Sequence, residues 1–170
     1  PSFSGSLRPM KCTVESPRAE LLVRNRQKVR PIRLSLVRRM AKSILSESIR
    51  SPGYQLGVSF VTATRMAALN QGFLGHAGST DVITFDYKEP GAGEAIHGEI
   101  FICVQDAIEQ AARFKTTWQS ETVRYLIHGI LHLAGYDDLE PGLRRTMKRR
   151  EGAILKRLAA KFPVDTIDYE

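Results

Sequence analysis

The segment GEIFICV (98–104) puts bulky apolar side chains on both faces of a β-strand. Such a strand has to be covered on two sides, which points to helices packed over a sheet rather than a half-solvated meander. Three other segments read as strands: ELLVRN (20–25), QLGVSFVT (55–62) and DVITFDY (81–87). Between them the apolar spacing becomes helical. Leu34, Val37, Ala41, Ile44 and Leu45 make one face of a helix over about 34–49 that follows Pro31. Met66, Leu69 and Phe73 make a second stripe, and Val104, Ala107, Ile108, Ala111 and Ala112 a third. A fourth helix is expected from a Thr116/Gln119 capping box to Ala134, with Gly135 as its left-handed cap, and a fifth from Gly142 to about Leu158. SPGY (51–54) reads as a turn, and KEPGAGEAIH (88–97) as a long hairpin connection. The expectation is one α/β domain over residues 19–160, with a four-stranded sheet covered by about five helices. A flexible basic leader (1–18) precedes it and a polar C-terminal tail (161–170) follows.

Charge narrows the partners. Residues 1–50 hold 12 Lys or Arg against 3 Asp or Glu, whereas residues 51–170 hold 13 against 15. A second basic cluster, Arg144, Arg145, Lys148, Arg149 and Arg150, lies in the last helix. Surfaces of this kind suit a polyanion such as nucleic acid, the alternative being a merely solvated basic face. No run approaches the ~18 apolar residues of a membrane span, and PSFSGSLRPMKC lacks the apolar core of a signal peptide, so the expected location is the cytoplasm. Cys12 and Cys103 are too few for a disulfide framework, and Cys103 is expected in the core.

The segment HGILHLAGYDDLEP (128–141) carries chemistry. His128 and His132 share a helix face away from the stripe of Val123, Leu126, Ile127, Ile130 and Leu131. The pair is either a metal site or two surface histidines placed together by chance. A turn at Gly135 would bring Asp137 or Asp138 back to that face, and two imidazoles with one carboxylate leave an open position on a catalytic-type zinc ion. His76, His97 and Cys103 are rival third ligands. Gly129 stands where an H-E-x-x-H hydrolase has its glutamate, so the motif supplies no general base.

The segment from His128 to Asp138 resembles the H-G-x-L-H-L-x-G-Y-D-H signature of the YbeY family of bacterial endoribonucleases. Leu69-Asn70 through Phe73, Gly75, Ser79 to Phe85, Gly98 to Ile102 and Asn25 to Lys28 agree with the same family, in the right order over roughly 20–158. The resemblance implies a mixed sheet, a single-strand-specific endoribonuclease acting in ribosomal RNA maturation and ribosome quality control, and RNA or the ribosome as partner. It implies one metal ion per chain, expected to be Zn2+, held by His128, His132 and Asp138 and serving phosphodiester cleavage. Two departures stand out. Asp138 replaces the usual third histidine, and Leu74 stands where many members carry an arginine, so that Arg65 or an arginine of the 144–150 cluster (Arg144, Arg145, Arg149) is expected to meet the RNA. Glu99 is the candidate base outside the motif, with a strand-end salt bridge as its other reading. Two further readings are a non-catalytic, metal-containing ribosome-associated RNA-binding protein and a metal-dependent hydrolase of another substrate, which the missing glutamate disfavours.

Overall fold

A computed structural model describes residues 18–168; the expected leader, apart from Arg18, and Cys12 lie outside them. The chain runs β1 (Ala19–Asn25), α1 (Leu34–Ser43), β2 (Tyr54–Val61), α2 (Ala63–Leu69), β3 (Val82–Asp86), β4 (Ile96–Cys103), α3 (Val104–Phe114), α4 (Trp118–Leu133) and α5 (Pro141–Lys161). Both α1 and α2 end in a wider π turn, over Ile44–Ile49 and Asn70–Leu74. The sheet is mixed, in the order β1-β2-β4-β3: β1, β2 and β4 are parallel, and β3 is antiparallel to β4 through the expected long hairpin. None of the helices among the described residues is long and apolar enough to cross a membrane.

The register sorts the strand residues into two faces. Val23, Val58 and Ile100 lie side by side, as do Leu56 with Gly98 and Phe60 with Ile102, and these belong to the main core with α1, α4 and α5. The opposite face is covered by α2 only toward the C-terminal ends of β2 and β4, where Val61, Ile83 and Cys103 pack with Met66 and Leu69. Among the described residues nothing else covers the second face, and Leu22, Tyr87, His97 and Glu99 line a shallow groove there.

Two glycines fix the depth of α4. A Cβ on Gly98 would run into the Phe85 carbonyl oxygen and stand 2.8 Å from Leu133, and one on Gly129 would stand 2.8 Å from Ile100. Helix α4 therefore lies directly against β4, with residue 129 pointing at the sheet. Only in this packing does the sequence around His128 make sense: a glutamate at 129 would be driven into Ile100 rather than toward the histidines.

Two local expectations change. Helix α4 is capped by Thr117, not Thr116: the Thr117 hydroxyl accepts the Ser120 N–H at 3.2 Å, while Thr116 donates its hydroxyl to Glu121. The left-handed Lys115 ends α3 one residue later than a Thr116 cap allows. Residues 161–168 are not a loose polar tail, because Phe162, Val164 and Ile167 are buried in the core and the Ile167 carbonyl accepts from Arg33 N–H. The Thr80-Asp81 turn is held by the aspartate, whose carboxylate accepts from the Val82 N–H and the Thr80 hydroxyl.

The two glycines should respond unequally. Gly98→Ala meets rigid backbone and is expected to cost about 1–3 kcal/mol or more, as overpacking does. Gly129→Ala displaces only the Ile100 side chain and regains helix propensity of about 1 kcal/mol, so its urea midpoint should fall less. Equal midpoints for the two variants would contradict this packing.

Candidate metal centre

Beyond its first turn, α4 is buried except for one stripe, and that stripe presents the histidine pair. Ten of its residues are buried, from Glu121 through Leu133, whereas His128 and His132 are partly exposed on the remaining stripe. The helix then stops in a Schellman turn. Gly135 adopts φ 97°, Tyr136 N–H donates to the Leu131 carbonyl at 3.0 Å, and Gly135 N–H donates to the His132 carbonyl at 3.0 Å. The reversal does two things at once. It brings the Tyr136 carbonyl to His132 Nδ1 at 3.1 Å, and it returns Asp138 to the histidine face.

The choice between Asp137 and Asp138 is settled by the turn's own hydrogen bonds. Asp137 Oδ1 accepts from the N–H groups of Asp138 and Leu139, at 2.7 and 3.1 Å, so it holds the loop. Asp138 has its oxygens 3.6 Å from both His128 Nε2 and His132 Nε2. Arg144 Nε donates to the Asp138 carbonyl at 3.1 Å and pins the turn from α5.

Tautomers follow from the partners. A carbonyl oxygen only accepts, so His132 carries its proton on Nδ1 and turns a lone pair out at Nε2. His128 Nδ1 lies 3.1 Å from Glu151 Oε2, which likewise leaves its Nε2 free. The two Nε2 atoms are 3.0 Å apart. Two lone pairs facing each other at that distance beside a carboxylate repel, and either a proton on one Nε2 or a cation bound by both relieves that repulsion. A four-coordinate ion with bonds of ~2.0–2.2 Å needs ligand atoms about 3.3–3.6 Å apart; the two carboxylate separations of 3.6 Å match that, and the 3.0 Å between the rings is a little short of it. Among the described residues, His128, His132 and Asp138 are the group that can hold a metal.

Glu151 was missed in the sequence, although it left a signal. It falls within the buried α5 stripe of Met147, Ile154 and Leu158, where a carboxylate needs a partner. That partner is His128, so the arrangement is a carboxylate, a histidine and a metal position in line. Burial acts to lower the pKa of His128, but the hydrogen bond and charge of Glu151, with Asp138 and Asp81 beyond, outweigh it and leave it raised.

The other candidates lie elsewhere. Glu99 is turned to the open face of the sheet, away from α4, where its carboxylate accepts from the Tyr87 hydroxyl at 2.8 Å; it is not placed to act as a base at the histidines. His97 stacks edge-on with Tyr87 in the same groove, and His76 is exposed in the loop after α2. Cys103 is buried and free, its thiol pushed up to about 11, chiefly by burial. Arg65 is exposed on α2, and Leu74 is exposed at the end of its π turn. The basic cluster of α5 divides around the helix: Arg144 donates to the Asp138 carbonyl, Lys148 lines one depression with Glu151, Arg145 and Arg149 are exposed, and Arg150 donates to the Ser48 carbonyl.

A raised His128 pKa means that protons compete with metal up to a higher pH than an ordinary histidine allows. Metal uptake should fall as pH drops through that raised value, and Glu151→Gln should move the fall to lower pH by removing the charge that raises it. Glu151→Ala should weaken metal binding by about 10–100-fold. Zinc titrations across pH check both; an unchanged profile in Glu151→Gln would refute the coupling.

The family model described as Endoribonuclease YbeY matches residues 22–159. A protein from Chlorobium phaeovibrioides named Endoribonuclease YbeY is 39% identical over 95 residues, covering 56% of this chain and 62% of that protein. The chain thus spans about three fifths of that relative's length. One from Flavobacterium psychrophilum, with the same name, is 35% identical over 122 residues, covering 72% and 84% respectively. The solution structure of TM1509 from Thermotoga maritima is similar at a TM-score of 0.58 and 27% identity, covering 83% of this chain and 93% of that one. On the match over residues 22–159, the chain belongs to the YbeY family.

Proposed function

We propose that this chain is a metal-dependent, single-strand-specific endoribonuclease acting in ribosomal RNA maturation and ribosome quality control in the cytoplasm, with one zinc ion held by His128, His132 and Asp138. The observation that carries the reading is the facing pair of Nε2 lone pairs 3.0 Å apart beside a carboxylate, in a chain whose relatives are named endoribonucleases. When bound, the ion supplies Lewis acidity toward a phosphodiester. The chain's own groups do the rest. Glu151 and the Tyr136 carbonyl hold the two rings in the ligating tautomer, Asp137 shapes the turn, and Arg144 keeps Asp138 in place. Three ligands leave one face open toward solvent, which suits a strand that is not paired.

The RNA backbone is met by cations. Arg145 and Arg149, on the outer side of α5, are free to contact phosphates, whereas Arg144 is already committed to the turn. Arg65, exposed on α2, is the other cation offered to the RNA in place of the arginine expected at Leu74.

Purified protein should cut single-stranded RNA, lose that activity to a chelator and regain it with zinc. Asp138→Ala should lose most of the metal by elemental analysis. Asp137→Ala should keep the metal and lose stability instead, and Asp138→His should keep it and shift the rising limb of the pH–rate profile to lower pH. RNA binding without any cutting would replace this reading with the non-catalytic, metal-containing one. In a separate measurement, Arg145→Gln with Arg149→Gln should flatten the salt dependence of RNA affinity by roughly 0.7 in log–log slope per lost phosphate contact; an unchanged slope would remove α5 from the RNA path.

A further inference from the structure

Beside His128 a depression of about 380 Å3 opens between α3, α4 and α5, small within the range of ~300–1,000 Å3 for ligand sites. Arg113, Arg124 and Lys148 reach it from three different helices. Among the described residues neither Arg113 nor Lys148 has an ion-pair partner, and Arg124 has only a 3.9 Å contact with Glu121. Phe114, the last residue of α3, leaves 61% of its surface exposed at the same place, although most large apolar side chains here are buried. The hydroxyl of Tyr125 adds a separate observation. The residue is 6% exposed and lines the depression, yet its oxygen is buried without a hydrogen-bond partner.

The acidic residues of the depression set the orientation of what binds. Glu151 is tied to His128, Glu121 to Thr116, and Asp81 to its own turn, so their charge stays inside. A phosphate is repelled from the floor and attracted to the rim, where the cations stand. An aromatic heterocycle is not repelled, and it has Phe114 to stack on.

From this arrangement we propose that the depression is a subsite for a single nucleotide of the RNA strand, the one next to the phosphate at the metal position. Its base stacks on Phe114, and its phosphate lies on Arg124 and Lys148. The proposal rests on the nuclease reading for what the nucleotide belongs to, but not for the site itself.

The test uses zinc-loaded full chain and adenosine 5′-monophosphate as probe, with inorganic phosphate as a control. Arg124→Gln with Lys148→Gln should weaken the nucleotide by about tenfold or more, with zinc content and thermal unfolding unchanged. Phe114→Ala should weaken the nucleotide but not inorganic phosphate, and Phe114→Tyr should restore it. On an RNA substrate the same changes should raise KM more than they lower kcat. Nucleotide binding equal in all variants, or absent from the wild type, overturns the subsite. If the wild type cuts RNA while the variants bind the nucleotide normally, the subsite falls and the nuclease stands. If the variants lose the nucleotide but no form cuts RNA, the subsite stands and the nuclease reading falls.

Discussion

The contact between α4 and β4 governs the rest of this structure. Gly98 and Gly129 let the helix lie close on the strand because at each point only one of the two elements supplies a side chain, Leu133 over Gly98 and Ile100 under Gly129. Because Val123, Leu126, Ile127, Ile130 and Leu131 are then all buried, the helix can neither slide nor turn about its axis without exposing core. The stripe left uncovered is the one bearing His128 and His132. The rotation of the metal ligands is therefore set by packing on the far side of the helix. The glutamate of H-E-x-x-H hydrolases has no room in this arrangement.

The remainder of the centre is assembled at two ranges. Locally, the Schellman turn at Gly135 converts the end of α4 into a hairpin of backbone that supplies a carbonyl for one histidine and a carboxylate for the pair. At long range, α5 returns across α4 and brings Glu151 to the other histidine, 23 residues away in sequence. Each ring is thus held by a different part of the chain. Bringing the two lone pairs together costs electrostatic energy that a bound cation offsets, so binding the ion and holding α5 in place are coupled.

Much of this could be read in the sequence, for a definite reason. Strand and helix periods are short-range properties, and they gave the four strands and five helices, while the mixed sheet was what the resemblance to the YbeY family implied; the structure bears out both. The cap of α4 was misplaced by one residue because Thr116 and Thr117 are chemically alike, and only the left-handed Lys115 distinguishes them. Phe162, Val164 and Ile167 were missed as core because the spacing of apolar residues in a short irregular segment has no period to detect. Glu99 was misassigned because one residue's shift along a strand moves a side chain to the other face of the sheet, and neighbouring positions in a sequence say nothing about which face meets α4.

By itself the sequence determined the elements, the shared helix face of His128 and His132, and a turn at Gly135 that could return an aspartate to it, since each depends on residues within a few positions of one another. Tertiary structure decided which aspartate arrives there, through the hydrogen bonds that commit Asp137 to the loop. It also decided that Glu151 holds His128, and that Arg113, Arg124 and Lys148 face one depression. Those groupings depend on how α3, α4 and α5 cross, and the crossing is fixed by close packing of the whole core rather than by any local pattern of residues.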